Sequence, residues 1–166
     1  MSVLTPITVE PLAATLGATV RGLSVAHLDD HSWATIEAAF HRYALLIFPA
    51  QFLTDDQQTA FAARFGELEP GAALAPISNV SPEGELRAPD SLLMQQLRGN
   101  EGWHSDSSFM PRSAKASMLS AHVVPRDGGE TEWADMTAAY EALDAATRAE
   151  VDRLSALHCI RYSQMR

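Results

Sequence analysis

Cysteine and lysine are almost absent from this chain, which has one of each, Cys159 and Lys115, among 166 residues. A single thiol excludes an intramolecular disulfide and any cysteine-rich zinc or iron–sulfur site, and it suits a reducing compartment. On its own Cys159 reads as buried packing rather than as a nucleophile. Positive charge is scarce too: 12 basic residues face 21 acidic ones, for a formal charge of -9 and a pI near 5.0. Nucleic acid and anionic membrane surfaces attract basic patches, so neither is expected as a partner. No apolar run approaches the roughly 18 residues of a membrane span. Met1 to Glu10 lacks the charged-then-apolar order of a secretory signal, and the expected compartment is the cytoplasm. Internal repeats and low-complexity linkers are also missing.

The chain does have 46% hydrophobic residues, enough for one sizeable core in a single domain over 1–166. Helix and strand signals alternate, and the expected class is α+β. Ile7-Thr8-Val9 and Ala18-Thr19-Val20-Arg21 alternate in polarity about turn chemistry that contains Gly17, which predicts a small antiparallel hairpin. Asp29 and Asp30 precede Trp33, Ile36, Phe40 and Tyr43, whose spacing of three and four marks one apolar helix face. Leu45-Leu46-Ile47-Phe48 reads as a buried strand ended by Pro49. Thr54-Asp55-Asp56-Gln57 is a capping box that opens a helix carrying Ala60, Phe61 and Phe65 and stopping at Gly66.

From Glu67 to about Asn100, Pro70, Gly71, Pro76, Pro82, Gly84 and Pro89 predict a long loop, with a strand only at Ile77-Ser78-Asn79-Val80. Such a segment is either a lid or binding loop or a variable surface insertion. Ala116 to Val124 reads as a strand, followed by the turn Pro125-Arg126-Asp127-Gly128-Gly129 and a second strand near Thr131-Glu132-Trp133. Helices are expected over Thr137 to Leu143 and Thr147 to Leu157, the latter with Thr147-Arg148-Ala149-Glu150 as a capping box.

Candidate chemistry concentrates in Gly102-Trp103-His104-Ser105-Asp106-Ser107-Ser108-Phe109. In extended chain, residues i and i+2 face the same way. His104 and Asp106 can therefore supply two ligands of a 2-His-1-carboxylate triad, which leaves coordination positions open on non-haem Fe(II). The bare pattern is weak, since chance alone yields about 0.8 His-x-acid instances in such a chain. Two occur. His27-Leu28-Asp29 sits where a helix begins and is explained by Asp29 or Asp30 as an N-cap. A surface strand with a hydrogen-bonded histidine would account for His104-Ser105-Asp106 equally well on spacing alone. A hydrolase built on Ser107 or Ser108 lacks the Gly-x-Ser-x-Gly elbow.

Several stretches in fixed order carry a resemblance: the His104 segment, then Ala114-Lys115-Ala116-Ser117-Met118-Leu119, then Gly128-Gly129-Glu130-Thr131-Glu132-Trp133-Ala134-Asp135-Met136, then Ala138-Ala139-Tyr140-Glu141-Ala142-Leu143. Together with Gly17-Ala18, Leu46-Ile47-Phe48 and Phe61-Ala62-Ala63-Arg64-Phe65-Gly66, they make the chain resemble the TauD/TfdA family, which includes taurine and phenoxyalkanoate dioxygenases. The resemblance implies a double-stranded β-helix, or jelly roll, with flanking helices. It also implies Fe(II), 2-oxoglutarate and O2 as cofactors, with oxidative decarboxylation of 2-oxoglutarate coupled to hydroxylation of a C–H bond. The substrate it suggests is a small organic anion, a sulfonate or an aryloxyalkanoate.

On that resemblance His104 and Asp106 are iron ligands, and no catalytic residue is expected beyond them. Thr131 matches the position whose hydroxyl helps hold the distal carboxylate of 2-oxoglutarate, although a β-branched residue there also serves strand propensity. Trp103 and Phe109 are expected to pack around the ligands and limit water access, or to be plain core. Ile77, Ser78, Asn79, Val80, Met94 and Trp103 fall in the substrate-proximal region. Arg98, Arg112 and Lys115 lie near the motif as candidate anion-binding groups, or as solvated charges. The family's second histidine and its 2-oxoglutarate-binding arginine lie far downstream. Neither His122 nor His158 sits in a Trp-Asp-Asn-Arg-like segment, so the chain reads as the N-terminal half of such an enzyme. The alternative is a catalytically inactive fragment serving as a folded binding or dimerisation module. Self-association into a homo-oligomer is left open by the sequence.

Overall fold

A computed structural model of the chain describes residues 6–69 and 74–159. Pro70 and Gly71 of the expected loop lie outside the described residues. The elements are β1 (Thr8–Pro11), β2 (Ala18–Arg21), α1 (Asp30–Tyr43), β3 (Leu46–Ile47), α2 (Asp55–Ala63), α3 (Leu92–Gly99), α4 (Met136–Glu141) and α5 (Ala145–Val151). The class is α+β, as expected. The chain divides into two compact units, Met1–Arg64 with Leu119–Leu154, and Phe65–Met118 with Ser155–Arg166.

In the first unit, β2 is the centre of a three-stranded sheet. It pairs antiparallel with β1, Val9 opposite Val20, and parallel with β3, Ala18 opposite Leu46. The expected hairpin is therefore present. Its turn depends on glycine: Gly17 has φ +97, donates its N–H to Tyr43 O at 2.9 Å and accepts from Leu12 N at 2.9 Å. Gly22, at φ +81, is more tightly constrained, since a Cβ there would lie 2.2 Å from Pro6 O. The parallel β2–β3 pair requires a crossover, and α1 supplies it.

Helix α1 starts where the charge pattern predicts. Asp29 is its N-cap, accepting from Ser32 N at 2.7 Å. This hydrogen bonding at Ser32 holds the Asp29 carboxyl below its ordinary value of 3.8. The second His-x-Asp pattern is thus a helix cap. Ile36 and Ala39 are buried on the inner face of α1, while Trp33, Phe40 and Tyr43 are half-buried. The helix ends at Ala44, whose N–H closes onto Phe40 O from a left-handed φ of 59. The α2 capping box forms in full, with Thr54 Oγ1 accepting from Gln57 N and Gln57 Oε1 accepting from Thr54 N. Phe61 of α2 meets Phe48 edge-on, ring centroids 5.5 Å apart. Gln51 ties the chain after β3 to the chain after β2, accepting from Val25 N at 2.9 Å. The buried hydrophobic residues among those described are Ala18, Val20, Val25, Ile36, Ala39 and Phe61.

Helices α4 and α5 have Asp135 and Asp144 as N-caps. Backbone donation from Ala138 and then the Thr15 hydroxyl lower the Asp135 pKa; the N–H and hydroxyl of Thr147 do the same at Asp144. The expected capping box at Thr147 is displaced, because Asp144 takes Ala146 N and Thr147 N, both at 2.9 Å, and starts the helix earlier. Helix α5 ends at Val151 rather than at Leu157. Tyr140 O–H donates to Asp152 at 2.6 Å, and the Arg148 guanidinium lies over the Tyr140 ring, closing the α4–α5 turn.

Three expectations for the middle of the chain are corrected. Ala116 to Val124 and Thr131-Glu132-Trp133 are not strands, and Leu119, Val123, Val124 and Trp133 are exposed. Alternating apolar residues favour an extended chain, but a strand also requires a partner ladder, and no described segment pairs with either stretch. Ile77 to Val80 contributes a single bridge, Val80 opposite Leu86, around a turn closed by Ser81 N to Glu85 O at 2.8 Å. The expected loop also contains α3, capped by Ser91, which accepts from Met94 N. The proline spacing hid a run of strong helix formers, Leu92 to Arg98, ending at Gly99. Cys159 is exposed rather than buried. Among the described residues the buried core is accordingly smaller than the hydrophobic content suggested, because apolar residues beyond Arg64 have little described layer to pack against.

Candidate metal centre

His104 and Asp106 belong to the second unit and lie in an irregular stretch after α3, not in a paired strand. The chain nevertheless brings them together, with His104 Nε2 3.2 Å from Asp106 Oδ1. Two local features produce this. On one side, His104 Nδ1 is 2.7 Å from Gly102 O. A carbonyl only accepts, so Nδ1 carries a hydrogen and Nε2 is the ring atom that faces the carboxylate. On the other side, Ser107 takes a left-handed φ of 53 and accepts from Met110 N at 2.9 Å. The backbone reverses immediately after Asp106.

The donor chemistry fits a divalent cation. Imidazole nitrogen and carboxylate oxygen bind first-row divalent ions at about 2.0–2.2 Å, which puts two donors at right angles roughly 3.0 Å apart. The observed separation matches that. With Nε2 deprotonated, both facing atoms offer lone pairs that a single cation can share. A carbonyl partner on the far nitrogen is the usual way a metal-binding histidine is oriented. Among the described residues no group of three or more His, Cys, Asp or Glu side chains is arranged to hold a metal. The pair is open to solvent, with side chains 49% and 56% exposed.

The other candidate residues are distributed as follows. Trp103 is 70% exposed and Phe109 44%, so neither forms the dry wall expected around the ligands. Ile77, Ser78, Asn79 and Val80 lie in the bridge-forming turn of the second unit, where Ser78 Oγ accepts from Val80 N. Met94 is in the first turn of α3. Arg112 pairs with Glu67 at 3.7 Å, and Arg98 donates to Pro89 O at 2.8 Å. Thr131 is exposed and belongs to the first unit. Sequence reasoning did not find the Gly102 carbonyl or the Ser107 turn. No residue preference signals the former, and a serine in the left-handed region carries no signature of its own.

A protein-family profile for the taurine catabolism dioxygenase TauD, TfdA family matches residues 8–165. The chain belongs to the TauD/TfdA family. An (S)-phenoxypropionate/alpha-ketoglutarate-dioxygenase of Sphingobium herbicidovorans is 51% identical over 94% of this chain and 54% of its own length. The enzyme of the same description from Delftia acidovorans is 48% identical over 96% of this chain and 57% of its own length. The crystal structure of AAD-2 in complex with Mn(II) and N-oxalylglycine superposes with a TM-score of 0.90 at 43% identity, covering 96% of this chain and 58% of that one. The chain thus spans a little over half the length of these TauD/TfdA relatives. The cofactor set that the family implies is Fe(II), 2-oxoglutarate and O2. No helix among the described residues is long and apolar enough to cross a membrane.

Proposed function

We propose that this chain contributes the His104–Asp106 edge of a 2-His-1-carboxylate iron centre in a 2-oxoglutarate-dependent dioxygenase acting on a small organic anion. The observation that carries the reading is the 3.2 Å approach of His104 Nε2 to Asp106 Oδ1, with Nδ1 held by Gly102 O. Bound Fe(II) supplies the oxidative chemistry: O2 converts 2-oxoglutarate to succinate and CO2 while one oxygen atom enters a substrate C–H bond. The protein's part is to hold and orient. His104 binds as neutral imidazole and Asp106 as carboxylate, and Thr131 offers its hydroxyl to the distal carboxylate of 2-oxoglutarate.

The substrate class follows the relatives, which include phenoxypropionate, 2,4-dichlorophenoxyacetate and sulfate ester dioxygenases. An aryloxyalkanoate or sulfonate-type anion is the proposed substrate, with Ile77, Ser78, Asn79, Val80, Met94 and Trp103 near it. In this reading residues 1–166 are part of one jelly-roll domain that works in the cytoplasm. A completing half supplies the third ligand and the 2-oxoglutarate-pairing arginine.

The test is an anaerobic addition of Fe(II) and 2-oxoglutarate, read by the visible charge-transfer band of the chelate. The band is expected once a completing half from a relative is added, and expected to vanish in His104→Ala and Asp106→Ala. An undiminished band in either variant removes that residue from the iron. The pairing of two donors without a third among the described residues supports a second reading, a folded binding module without turnover. Succinate release from the completed protein over a panel of aryloxyalkanoates and sulfonates rules that reading out.

A further inference from the structure

We infer that Ser107 is a positioning residue for the metal-binding pair, acting through its backbone conformation and not through its hydroxyl. The inference rests on the iron-centre reading and goes beyond it, since Ser107 donates no atom to the metal. Ser107 is one of four non-glycine residues with positive φ among those described, and it directly follows Asp106. Its φ of 53 turns the chain back so that its carbonyl accepts from Met110 N at 2.9 Å. The turn fixes the direction in which the backbone leaves Asp106. The Gly102 carbonyl fixes the His104 ring from the opposite side, at 2.7 Å from Nδ1. The two side chains are each largely in solvent, 49% and 56% exposed, so no packing wall holds them at 3.2 Å. The pair's own contact and the backbone on either side set the orientation, and the left-handed residue is the part of that backbone that sequence can change.

A left-handed φ penalises a Cβ and penalises a β-branched side chain more. Glycine adopts it freely, and asparagine tolerates it. The variants should therefore order by left-handed tolerance and not by polarity. Ser107→Gly and Ser107→Asn keep the pair together, Ser107→Ala loosens it, and Ser107→Val separates it. A role for the hydroxyl predicts a different order, in which Ser107→Gly fails along with Ser107→Ala.

The experiment is NMR on the full chain, with two readouts. The first needs no metal: the cross-relaxation between the His104 ring protons and the Asp106 β protons should survive in wild type, Ser107→Gly and Ser107→Asn, and disappear in Ser107→Val. Far-UV circular dichroism, expected to be unchanged, shows that each variant folds. The second readout adds Mn(II) and follows paramagnetic broadening of the His104 ring signals, with apparent affinity expected to fall about 10–100-fold in Ser107→Val, the usual range for losing a residue that orients a ligand. Cross-relaxation retained in Ser107→Val, or lost in Ser107→Gly, overturns the positioning role. Intact cross-relaxation in wild type without any Mn(II) broadening leaves that role standing and instead overturns the metal reading.

Discussion

The stretch from Ile7 to Arg64 and the stretch from Phe65 to Met118 both carry large apolar residues and have opposite outcomes. The first holds the sheet, two helices and every buried hydrophobic residue among those described. The second holds one helix, an isolated bridge and the His104–Asp106 pair, with Ile77, Leu86, Leu92 and Trp103 exposed. The difference teaches that large apolar side chains make a core only where periodic elements give them a facing layer. In the first stretch each apolar face has a partner layer close in sequence: Val20 of β2, Ile36 of α1 and Phe61 of α2 are all buried. The second carries the chemistry instead, held by local hydrogen bonds.

The comparison is broken most severely by removing its best-packed residue. Ile36→Ala is expected to lose about 2–5 kcal/mol of unfolding free energy in urea, whereas Leu86→Ala, at a residue 77% exposed, should stay within about 0.5 kcal/mol. Equal losses at the two sites would mean that the two kinds of region are not energetically distinct. Next in size is Gly22→Ala, which places a Cβ 2.2 Å from Pro6 O at φ +81. The backbone conformation alone accounts for about 1–3 kcal/mol of destabilisation, with the clash added to it. Hydrogen exchange at the β1–β2 amides should rise selectively.

Thr54→Ala removes half of the α2 capping box and is expected to cost about 1 kcal/mol, read as a shift of the denaturation midpoint without change of slope. The smallest effect is on acid stability. The carboxyls of Asp29, Asp135 and Asp144 are lowered from 3.8 by donors at their helix starts. Their stabilisation is therefore complete above pH 3.8 and is lost as pH falls through the lower folded values. The helical signal should decline in that window, and changing all three caps to asparagine, which caps without titrating, should flatten the decline.

Legibility in the sequence followed the range of the interactions. The Asp29 cap, the Thr54–Gln57 box and the Gly17 turn involve residues a few positions apart, and each was readable. Helix α3 was hidden by the prolines around it, although Ser91 and the Leu92 to Arg98 run carried the signal. The strand expectation for Ala116 to Val124 failed because pairing is a non-local property. At the site, residue identities and spacing were readable. The Nδ1–Gly102 contact and the Ser107 turn were not, since backbone carbonyls and a left-handed serine leave no mark in residue order.

By itself the sequence determined the α+β class, the caps of α1 and α2, the β1–β2 hairpin, family membership and His104 with Asp106 as the residues to examine. These depend on side-chain chemistry and short spacings. The tertiary structure decided which apolar residues are buried and which extended stretches become strands, because both require a partner distant in sequence. It also decided that His104 and Asp106 meet at 3.2 Å outside any strand. A carbonyl before the pair and a left-handed turn after it accomplish locally what sheet geometry was expected to provide.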